Sequence, residues 1–123
     1  MNLVAARALL FVAGFGLWAL TSALPINEGV REGWDRPAYW QIGLPLVFAV
    51  QIVVAIVSKE RITLAPLWVI LGHVIAMLFI AQSGSGFGLL PLSVVFVGLP
   101  LYLMLLLAAF IGQMVRRLTG FAP

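Results

Sequence analysis

Apolar positions in this chain fall in long runs rather than on one face of a repeat, and polar or glycine-rich breaks separate the runs. The clearest run goes from Tyr39 to Ser58, opening on Tyr39 and Trp40 and stopping at Lys59-Glu60-Arg61. About twenty residues without a charge, with aromatics at one end and basic residues at the other, predict a membrane-spanning helix. The same pattern predicts spans at about 4–24, 39–58, 62–82 and 89–115. The fold class is therefore an all-α integral membrane protein, a single four-helix transmembrane domain over residues 1–123.

The breaks add detail. Pro25 ends the first run, and the segment to Ala38 holds Glu28, Arg31, Glu32, Trp34, Asp35 and Arg36. Lys59-Glu60-Arg61 makes a very short turn, which places spans two and three in direct contact as an antiparallel hairpin. Ser83-Gly84-Ser85-Gly86-Phe87-Gly88 is a flexible uncharged turn. Pro45 and Pro100 lie inside spans two and four, where each removes a backbone donor and is expected to kink its helix. In the first span, Ala13, Gly14 and Gly16 leave room for another helix to approach.

Composition strengthens the membrane assignment. Of 123 residues 63% are hydrophobic and 9% charged, against roughly a quarter charged in soluble domains. The net charge of +3 sits at the ends of runs, which reads as membrane topology and not as a nucleic-acid surface. There is no cysteine, so thiolate chemistry and thiolate metal sites are excluded. Arg7, the apolar run after it and Thr21-Ser22-Ala23 have the outline of a signal peptide, but the run is long enough to span and is read as uncleaved.

Five basic residues (Arg7, Lys59, Arg61, Arg116, Arg117) fall on one side and two (Arg31, Arg36) on the other. The positive-inside rule then puts both termini in the cytoplasm, and the expected location is a bacterial inner (plasma) membrane. Gly43-Leu44-Pro45-Leu46 returns as Gly98-Leu99-Pro100-Leu101, with Arg61 falling on Arg116. Chance recurrence and a parallel tandem repeat of a two-helix hairpin both account for it.

Candidate chemistry is sparse. His73 is the only histidine, and counting from Ile62 places it midway through the membrane, where an ionisable group calls for a reason. It suits ligation of a haem or pigment, contact with a quinone, or an interhelical hydrogen bond to a freed carbonyl or to Gln51. Gln51, the one deep amide, reads as a second interhelical polar contact with His73. No Asp or Glu lies inside a span, which argues against proton- or cation-coupled transport. No catalytic set and no metal site emerge, and the sequence requires no cofactor. The favoured function is a small non-catalytic membrane subunit that packs against and stabilises or assembles a larger complex. Its partners are the bilayer and other integral membrane chains, met through the Glu28–Arg36 loop. A homo-oligomeric transporter or channel and a cofactor carrier using His73 are the alternatives.

Overall fold

The computed structural model describes residues 1–23, 37–79 and 90–122. Its elements are α1 (Leu3–Ala23), a π-helical turn (Tyr39–Gly43) leading into α2 (Leu44–Val57), α3 (Ala65–Phe79) and α4 (Leu90–Thr119). No strand occurs among the described residues. Leu3–Thr21, Tyr39–Val57 and Val95–Thr119 are long and apolar enough to cross a membrane, while α3 is a shorter apolar helix.

Local chemistry sets the helix ends. Asn2 caps α1, its Oδ1 accepting from the Ala5 N–H at 2.8 Å. Pro66 occupies the first turn of α3, where a missing N–H is harmless, so α3 starts at Ala65 and Ile62–Leu64 form a turn. At the other end, α4 continues past the expected 115 to Thr119. It stops where Gly120 takes φ 67° and the Phe121 N–H bonds back to the Arg116 carbonyl at 3.2 Å. That left-handed glycine with its six-to-one bond is a Schellman ending.

Pro45 sits in the first turn of α2, directly after the π turn. There the Leu44 N–H bonds to the Tyr39 carbonyl, five residues back. Widening the turn just before a residue with no N–H accommodates the carbonyl that Pro45 leaves unbonded. Pro100 lies inside α4, in continuous helix.

Packing departs from the hairpin expected of spans two and three. α1 packs closely along α3 and α2 along α4, whereas α2 and α3 barely meet, and α1 and α4 do not meet among the described residues. The helices are ordered α1, α3, α4, α2 around the bundle. The connection between α2 and α3 spans residues 58–64 rather than the three-residue turn, long enough to carry α3 across to α1. Glycines close the seams. A Cβ on Gly14 would collide with the Val69 carbonyl, and one on Gly72 with the Phe11 carbonyl. Gly112 meets the Ile52 carbonyl in the same way between α4 and α2. Backbones this close give dispersion contact where apolar burial supplies no net drive.

The 58–64 connection also turns inward. The Ser58 carbonyl accepts from Arg116 Nη1 at 2.6 Å, whereas the Thr63 carbonyl accepts from the Tyr102 hydroxyl at 3.1 Å. Tyr102 lies about four turns before Arg116 at 3.6 residues per turn. The connection is thus tied to α4 at two points.

Candidate functional site

The most polar buried cluster forms where α3 meets α1 and the π turn. His73, 3% exposed, places Nε2 2.9 Å from the Tyr39 hydroxyl. Tyr39 donates in the Nδ1–H tautomer and accepts in the Nε2–H tautomer. The Trp18 ring stands edge-on to the imidazole, with centroids 5.4 Å apart and planes at 70°. Tyr39 makes a similar edge contact at 5.9 Å and 78°. Quadrupole geometry favours such edge-to-face packing.

Each element contributes for a local reason. The π turn presents Tyr39 to the interior, although its neighbour Trp40 stays exposed. Gly43 lets that turn lie on α1: an added Cβ would stand 2.6 Å from Leu17 Cδ1. Gly72, next to His73, brings α3 onto the α1 backbone and so sets the imidazole beside Trp18.

Along the bundle, Gly72, next to His73, lies against Phe11 and Phe15, the middle of Leu3–Thr21, and the imidazole reaches from there toward Trp18 and Tyr39.

The other candidate residues are dispersed. Gln51 is fully buried, but its amide has no hydrogen-bond partner among the described residues, so the expected contact with His73 is replaced by Tyr39. The loop residues Glu28, Arg31, Glu32, Trp34, Asp35 and Arg36 lie outside the described residues. Where α1 begins and α2 ends, a clasp appears that the run pattern did not reveal. Arg7 Nε donates to Glu60 Oε2 at 2.5 Å, and the Arg7 guanidinium lies 5.5 Å above the Trp68 ring. Arg116 holds the Ser58 carbonyl, and the Met1 ammonium donates to the Val57 carbonyl at 2.9 Å. Hydrogen bonding from Arg7 holds the Glu60 carboxyl below the usual carboxylate range, against the opposing effect of burial. One signal was present: Arg7 sits inside a helix, and among the described residues Glu60 is the sole acid.

Chemically the His73 cluster is self-contained. The cavity touching His73 is about 10 Å³, and a second, between Tyr39, Trp40 and α4, is about 110 Å³. Small-molecule sites run from roughly 300 Å³, so a haem or pigment on His73 would have to displace Tyr39 or Trp18. No group of three metal-ligating side chains occurs among the described residues. Comparison with protein-family models, with curated proteins and with solved structures gives no match.

Proposed function

We propose that the protein is a small non-catalytic integral membrane subunit that packs against and stabilises or assembles a larger membrane complex. The observation that carries this reading is the outer face of α4. Phe96, Leu99, Leu103, Leu107, Phe110 and Met114 are all exposed and follow one another at three- or four-residue steps. They form one uncharged stripe about 27 Å long at 1.5 Å per residue, enough to face a partner helix across most of a bilayer. The His73–Tyr39 pair lends support, since the two side chains are spent on each other.

In this reading the Glu28–Arg36 loop adds polar recognition, and both termini face the cytoplasm of a bacterial inner membrane. Native mass spectrometry of the protein drawn from its own membrane in mild detergent tests it. Masses above multiples of 13.3 kDa, with other chains present, are expected; only copies of this chain would reject it. Neutralising Glu32, Asp35 and Arg36 together should release the partner. Orientation is separable, because the chain has no cysteine and single cysteines at Lys59 and Trp34 can be labelled from either side. The hairpin duplication fits the packing, in which the helices it would relate, α1 with α3 and α2 with α4, lie closest together.

A further inference from the structure

We propose that the flank between α1 and the π turn–α2 helix is a lipid site, holding one acyl chain of a membrane phospholipid. A groove of about 480 Å³ runs there. Its two rims are straight rows at four-residue steps: Val12, Gly16 and Leu20 on α1, and Ile42, Leu46 and Val50 on the other helix. Residues four apart stack along a helix face, so the rims run nearly parallel to the helix axes and leave a slot between them. Gly16 is the gap in the first row.

Three observations select a hydrocarbon chain. The slot starts level with Thr21 and Ala38, at the end of the spans that carries Trp40, and ends at Val12 and Val50 near their middle. From Thr21 to Val12 is about 14 Å at 1.5 Å per residue, close to half of the ~30 Å hydrocarbon core. The slot therefore covers one leaflet, as a chain hanging from an interfacial headgroup does. At the level of Gly43, which lies against Leu17 and Thr21, its floor is closed, a depth that suits a single hydrocarbon chain better than a helix 10–12 Å across. Nothing in it asks for a polar partner: the one hydroxyl, Thr21 Oγ1, donates to the Leu17 carbonyl at 2.5 Å and approaches that of Trp18 at 3.2 Å. The site is distinct from the α4 stripe and stands whether or not a partner binds there.

Gly16 offers a clean test. A Cβ there meets only Leu20 Cδ1 at 3.9 Å, an ordinary contact, so Gly16→Leu fills the slot without touching a helix seam. The wild-type protein, reconstituted in phosphatidylglycerol and released into mild detergent, should retain one phospholipid per chain in native mass spectrometry. Gly16→Leu should lower that lipid-bound fraction at least tenfold with an unchanged melting temperature. Equal retention by the two proteins would overturn the proposal. Independently of any variant, a phosphatidylglycerol with a diazirine in its acyl chain should label wild-type residues around Val12, Ile42 and Val50 in preference to Leu99, Leu103 and Leu107. Even labelling of both sets would mean ordinary solvation by lipid, and loss of labelling at the slot when a co-purifying protein is present would assign it to that protein; either result overturns the lipid site.

Discussion

Gly14 and Gly72 pack reciprocally: each lies against the carbonyl of the residue three positions before the other, Val69 and Phe11. Two backbones in parallel helices are thus brought together by the absence of two side chains. A methyl group on either glycine meets backbone, which cannot swing aside as a side chain does. Gly72→Ala should therefore destabilise the protein by ~2 kcal/mol or more, the scale of overpacking in a tight core. Gly16→Ala should be near neutral. Thermal unfolding of both variants in one detergent makes the comparison, and equal melting temperatures would contradict the seam.

Tyr39 and His73 allow a second measurement. Tyr39→Phe keeps the ring and leaves the buried His73 Nε2 without its partner, a loss of about 1–3 kcal/mol. If the bond is what matters, Tyr39→Phe should have a much smaller effect in a His73→Phe background. A double-mutant cycle with a coupling near zero would show that the two rings merely pack.

Gln51 points the other way. Its buried amide finds no hydrogen bond among the described residues, and an unsatisfied buried polar group is itself destabilising by about 1–3 kcal/mol. Gln51→Met, similar in length and flexible, should raise the melting temperature. A fall would show that the amide is engaged.

Glu60 makes one end of the bundle sensitive to acid. Its carboxyl is held below the usual range by Arg7, so folding favours the ionised form. The sign follows: the contribution is fully present above the carboxylate's unfolded value, near 4.3, and is lost as pH falls through the lower folded value. Melting temperatures measured from pH 6 down to pH 3 should fall more steeply for the wild type than for Glu60→Gln.

Run length made the helices legible, because a bilayer demands about twenty apolar residues whatever their order. Neighbour choice was not legible in the same way. Gly14 and Gly16 stand two positions apart in one span, yet one is pressed on the Val69 backbone and the other opens onto the groove. Only the rotation of the helix separates them, and an almost uniformly apolar span does not encode rotation. Tyr39 was hidden for a related reason. It reads as an interface aromatic beside Trp40, and the π turn before Pro45 presents it to His73 instead. Glu60 reads in the sequence only as one member of a very short turn, and Arg7, far away in sequence, closes on it.

The order of the helices around the bundle constrains how the molecule is made. The ribosome delivers α1 and α2 first, and these two have only a light contact with each other. α1 must wait for α3, and α2 for α4, so neither glycine seam exists until the third and fourth segments emerge. Forming the helices and joining them are then separate stages for this chain. A nascent protein halted after α2 carries two unmatched helix faces.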